Sequence, residues 1–61
     1  MEDENYYVDR RRYAIRFLFK NKHEAKDFIL PYKYSENFYL NNRLDMDGSQ
    51  YVRIAQVKVN K

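Results

Sequence analysis

Few residues in this 61-residue chain have the type and spacing for chemistry. It has no cysteine, one histidine, one glycine and one proline. His23 has no second nitrogen ligand or thiol to help it hold a metal, and one histidine without cysteine does not make a structural zinc site. Ser35 and Ser49 fall in expected turns, with no base and orienting group near them in sequence, so neither reads as a nucleophile. The run from Asp45 to Ser49 resembles the opening of a calcium loop. Counting from Asp45, however, the sixth and twelfth positions are Gln50 and Gln56 where such a loop needs glycine and glutamate. A lone glycine also excludes glycine-rich phosphate loops and dinucleotide fingerprints. The expectation is a non-enzyme without cofactor, metal or small-molecule substrate.

The remaining chemistry is basic and aromatic. Arg10, Arg11 and Arg12 form a run, Arg16 extends it, and Lys20, Lys22 and Lys26 follow. Tyr32 and Tyr34 stand among seven tyrosines and four phenylalanines. Cations with exposed rings are the mixture that holds single-stranded nucleic acid. Tyrosine and arginine are equally the residues that anchor protein interfaces, and the chain has seven of one and six of the other. Arg10, Arg11, Arg12, Arg16, Lys22, Lys26, Tyr32 and Tyr34 are therefore the candidate contact residues. No glycine-containing aromatic RNA-binding motif, helix-turn-helix or zinc finger accompanies them.

The elements that must position these residues follow from periodicity. Residues 1–9 carry four acids and no base, a charge of −4, while the rest holds twelve bases against five acids, +7. Residues 1–9 read as an acidic, flexible leader that aids solubility, with a short edge strand at Tyr6, Tyr7 and Val8 as the alternative, and residues 10–61 as one domain. Residues 12–19 alternate, with Tyr13, Ile15, Phe17 and Phe19 against Ala14, Arg16 and Leu18, which predicts a strand. Asn21, with Glu24 three residues on, caps a helix predicted over residues 22–30 that turns Ala25, Phe28 and Ile29 inward and ends before Pro31. His23 and Asp27 make an exposed helical pair.

Residues 32–37 read as a polar connection. A second strand then carries Phe38, Leu40, Leu44 and Met46, and a third covers residues 51–59. Asp47-Gly48 is a hairpin signal. A two-residue loop there sets Phe38 opposite Val57, Leu40 opposite Ala55, Leu44 opposite Tyr51 and Met46 opposite Ser49. It also sets Asn42 against Arg53, which a three-residue loop would relieve by shifting the register one place.

The expected fold is therefore α+β, of β-α-β-β order, with one helix packed on a three- to four-stranded, antiparallel-rich sheet. One helix covers one face. The opposite face gathers Ala14, Leu18, Tyr39, Val52 and Ile54, so Leu18, Tyr39, Val52 and Ile54 are the candidate self-association residues of a homodimer.

No apolar run approaches the roughly 20 residues that cross a bilayer, and Met1-Glu2-Asp3-Glu4 lacks the basic start of a secretion signal, so a cytoplasmic protein without a membrane partner is expected. Abundant Lys, Asn and Tyr fit AT-rich codons and a short product of a phage or mobile element. The functional expectation is a small binding protein that acts stoichiometrically on a host enzyme or defence system; the alternative is a nucleic-acid binder using its Arg/Lys and Tyr surface.

Overall fold

The computed structural model describes residues 6–11 and 14–58. The chain forms an α+β domain in which one antiparallel sheet carries two short helices. Strand β1 (Tyr6–Arg10) pairs with β2 (Ala14–Phe19), and β2 pairs with β5 (Gln50–Val57). On the far side of β5, β3 (Phe38–Leu40) and β4 (Asp45–Asp47) lie end to end. The element order is β-β-α-α-β-β-β, longer than the expected β-α-β-β: Tyr6–Arg10 is a strand, there are two helices, and the second expected strand is split. The connection from β2 through the helices to β3 leaves one position between those strands, which β5 fills.

Period-two alternation becomes two faces. Ile15, Phe17 and Phe19 are buried and meet buried Ala25 and Ala55. Tyr6, Phe17, Phe19, Phe28 and Tyr34 stack around this core with ring centroids 4.8–5.6 Å apart, several of them edge to face, where such pairs add about 0.5–1.5 kcal/mol beyond area burial.

The helix differs most from expectation. Asn21 caps α1 (Lys22–Lys26) by accepting a hydrogen bond from the His23 N–H at 2.8 Å. The helix ends five residues before Pro31, not beside it. Residues 27–30 leave helical geometry, so the side-chain period changes: Phe28 and Leu30 pack on the core while Ile29, expected inside, is 83% exposed. Pro31, at φ −59°, then opens a one-turn helix, α2 (Tyr32–Ser35), where a polar connection was expected.

Arg53 supplies a reason for the early stop. Its direct partner across β2 is Phe17, so it points toward the helices, and it is 7% exposed. Its Nη1 donates to Ala25 O at 2.8 Å and to Lys26 O at 3.4 Å, and its Nη2 to Asn41 O at 3.0 Å. The last carbonyls of a helix have no partner within it. Here a guanidinium from β5 provides one.

The same residue explains the broken strand. Leu40 faces Ala55 and Asp45 faces Val52, so four residues, 41–44, stand against two, Arg53 and Ile54. The extra pair loops out after Asn41, whose N–H still bonds Ile54 O at 2.8 Å while its carbonyl is left to Arg53 and its Oδ1 accepts from Arg43 N–H at 2.9 Å. The expected Phe38–Val57 and Leu40–Ala55 pairs are present. Nearer the turn the register is displaced by two: Met46 faces Tyr51 and Asp47 faces Gln50, which corrects the expected Met46–Ser49, Leu44–Tyr51 and Asn42–Arg53 pairs. The loop is thus Gly48-Ser49, with φ +68° at Gly48 and no other positive φ among the described residues, the pattern of a hairpin with glycine first.

Candidate functional site

The expected cationic surface does not converge on one site. Arg10 ends β1 opposite Ile15, whereas Lys20 and Lys22 follow Phe19 at the other end of β2. Five residue steps separate these ends, about 17 Å of strand. Arg12 lies outside the described residues. Arg16 is on the face away from the helices and is neutralised there: Nη1 lies 3.4 Å from Asp9 Oδ2, and Nη2 is paired with Asp47. Arg11 shares the same Asp9 oxygen at 2.9 Å, and Arg43 pairs with Asp45 at 3.3 Å. With Arg53 spent on carbonyls, much of the arginine charge is used inside the fold.

Those ion pairs also change the open face. Arg16 stands at the level of Ile54, and Asp47 at the level of Gln50. The Arg16 guanidinium is held over this face between Asp9 and Asp47, and its side chain is largely buried. Arginine's methylene stem covers apolar surface while its head stays polar. Leu18 and Val52 are buried in the single chain, Ala14 and Ile54 are half-buried, and Tyr39 is exposed, with its hydroxyl 3.5 Å from Gln56 Oε1. Of the four candidate self-association residues, then, only Tyr39 stands well out.

Apolar exposure concentrates where the helices join. Ile29 is 83% and Tyr32 is 80% exposed, three residues apart on either side of Pro31. The segment carrying them is held from beneath: Phe28 stacks on Phe17 at 4.8 Å, Leu30 packs on the core, and Tyr34 meets Phe17 edge to face at 5.6 Å. Two large side chains are thereby presented on an anchored backbone.

Three lysines lie in the same stretch of chain, interspersed with Glu24, Asp27 and Glu36. Lys22 and Lys26 stand one turn apart on α1, both exposed, and Lys33 lies with its Nζ 5.2 Å from the Tyr34 ring centroid. His23 and Asp27 form the expected exposed pair at 3.2 Å. Candidate residues Lys22, Lys26, Tyr32 and Tyr34 thus lie on the two helices, apart in the chain from Arg10, Arg11 and Arg16, and Tyr34 packs against the core. Ile29 was missed in sequence because helical spacing puts it inside. The signal that could have found it is the alternation Phe28, Ile29, Leu30 immediately before proline, since a residue preceding proline is steered out of helix.

Among the described residues, no three of His, Asp and Glu come together as a metal set, and no helix is long and apolar enough to cross a membrane. No family model, curated protein or solved structure matches the chain.

Proposed function

We propose that this chain is a non-catalytic binding protein that acts by stoichiometric protein–protein contact, with Ile29 and Tyr32 as anchors and Lys22, Lys26 and Lys33 as a basic rim. The observation that carries the reading is the near-complete exposure of Ile29 and Tyr32 on a segment pinned by buried neighbours. Interface energy concentrates in a few large side chains that enter partner pockets, and a preorganised backbone lowers the entropic cost of placing them. The rim suits an apolar pocket bordered by Asp and Glu. Occlusion of a host enzyme or defence component by a phage or mobile-element product is the biological form of this reading, and the AT-rich amino-acid usage supports it.

The test compares the wild type with an Ile29→Glu, Tyr32→Ala double variant. Both positions are exposed, so circular dichroism and thermal midpoint should be unchanged. A host protein held one-to-one by the wild type and lost by the variant is the expected result. Equal capture by both proteins would overturn the assignment. So would salt-sensitive binding of single-stranded DNA or RNA that survives the double substitution, because phosphate contacts, not these two side chains, would then carry recognition.

A further inference from the structure

The sheet's two lateral edges differ. On the β3/β4 side, residues 41–44 interrupt the edge, and such an interruption hinders the addition of a further strand. On the other side, β1 runs five residues without proline, glycine or displaced register.

Its hydrogen-bonding groups have a definite direction. Arg11 N–H donates to Ala14 O at 2.8 Å. Antiparallel pairs alternate between bonded and non-bonded, so Tyr7 and Asp9, opposite Leu18 and Arg16, also turn N–H and C=O toward β2. Val8 and Arg10 turn theirs away from the sheet.

We propose that β1 pairs antiparallel with β1 of a second copy about a two-fold axis at Val8, joining two sheets into one. Self-complementary side chains select this occupant and charge selects this direction: within β1, antiparallel copies set Arg10 and Asp9 against the partner's tyrosines, whereas parallel copies in register would set Arg10 against Arg10 and Asp9 against Asp9. With Val8 facing the partner's Val8, the two residues exchange both N–H···O bonds. Arg10 faces the partner's Tyr6, a cation beside an aromatic ring, and Tyr7 faces the partner's Asp9, a hydroxyl beside a carboxylate. The pairing does not depend on what Ile29 and Tyr32 bind.

Sedimentation equilibrium of the full chain, from low micromolar to near-millimolar concentration, with Val8→Pro alongside, tests the pairing. Proline removes the outward N–H of Val8 and leaves the β1–β2 bonds intact, a placement that edge strands tolerate. The expected result is a wild-type dimer and a folded Val8→Pro monomer. A wild-type monomer throughout the range would overturn the proposal, and so would a dimer that survives Val8→Pro, including one broken instead by Ile54→Glu on the open face. Should Val8→Pro fail to fold, amide exchange of the wild type decides. Slowing of the Val8 and Arg10 amides with rising concentration supports the pairing, and concentration-independent exchange at both refutes it.

Discussion

Replacing Arg53 by alanine should be among the most damaging single changes in this fold. The substitution removes a 7%-exposed guanidinium and with it the donors to Ala25 O, Lys26 O and Asn41 O. Each buried carbonyl left without a partner costs about 1–3 kcal/mol. Ala25 O retains the Phe28 N–H at 3.4 Å, so the loss falls most heavily on Asn41 O. Arg53 Nε has no partner, which offsets part of the benefit of the native arrangement. Taking the two short bonds and the lost stem packing together, we expect about 3–5 kcal/mol. A chain of this length is stable by roughly 3–9 kcal/mol in total, so the variant loses from about a third to all of its stability. For a domain this small, each kcal/mol moves the thermal midpoint by about 4–8 °C, which puts the drop at about 12–40 °C. Thermal and urea unfolding followed by circular dichroism read it directly. Arg53→Lys separates fork geometry from charge: one ammonium cannot span the Ala25 and Asn41 carbonyls as two guanidinium nitrogens do, so it should fall between wild type and alanine. An alanine variant within a few degrees of wild type, or a lysine variant as stable as arginine, would refute Arg53 as the tie between α1 and the looped segment 41–44.

Three smaller effects follow from local geometry. Asn21→Ala removes the acceptor for the His23 N–H and should cost about 1 kcal/mol by urea unfolding, with Asn21→Ser close to wild type. Gly48→Ala meets no atom within 4 Å, so its expected cost of about 1–2 kcal/mol comes from placing a side chain at positive φ, and a neutral result would show that the hairpin relaxes to another turn. Asp47→Asn should cost at most about 1 kcal/mol at low salt and less at high salt, because the carboxylate is half-exposed; Arg16→Ala should cost more than Asp47→Asn at every salt concentration, since it removes a mostly buried side chain that also pairs with Asp9.

What could be read in advance was local. Alternation through Ile15, Phe17 and Phe19 located β2 and its buried face, and Asn21 located the start of α1, whereas the strand Tyr6–Arg10 stands where a flexible leader is the first reading and an edge strand the alternative. The Phe38–Val57 and Leu40–Ala55 pairs are those counted from an Asp47-Gly48 loop, but they are reached through a Gly48-Ser49 loop and two extra residues in 41–44. What could not be read depends on Arg53, 28 residues from the helix carbonyl it bonds. A pattern within residues 22–30 contains no trace of a guanidinium arriving from β5, so the helix seemed able to continue and Ile29 was counted inward. The same distant contact needs the chain to loop out just after Asn41, whose N–H still bonds Ile54 O at 2.8 Å, and no turn rule at Asp47-Gly48 encodes that. Of the candidate site, Tyr32, Lys22 and Lys26 were visible by residue type, whereas grouping them apart from the arginines required knowing which cations the fold neutralises.

That neutralisation favours a protein target over a nucleic-acid target. Phosphate recognition draws its affinity from cations free to release counterions. In this fold Arg11 and Arg16 share Asp9, Arg16 also holds Asp47, Arg43 holds Asp45, and Arg53 is buried on carbonyls. Lys22 and Lys26 of α1 lie in the same helical stretch of chain as the exposed Ile29 and Tyr32, the stretch that we propose meets a pocket with an acidic margin. If two copies join through β1, the two-fold axis runs normal to the sheet and puts both helical layers on one side. Each Ile29–Tyr32 pair then faces the same way, and a target presenting two such pockets at matching distance would be held by avidity with no stronger single contact. Val8→Pro should therefore weaken capture of such a dimeric target far more than capture of its isolated subunit. Equal weakening of both would mean that β1 contributes to the contact itself and not to its valency.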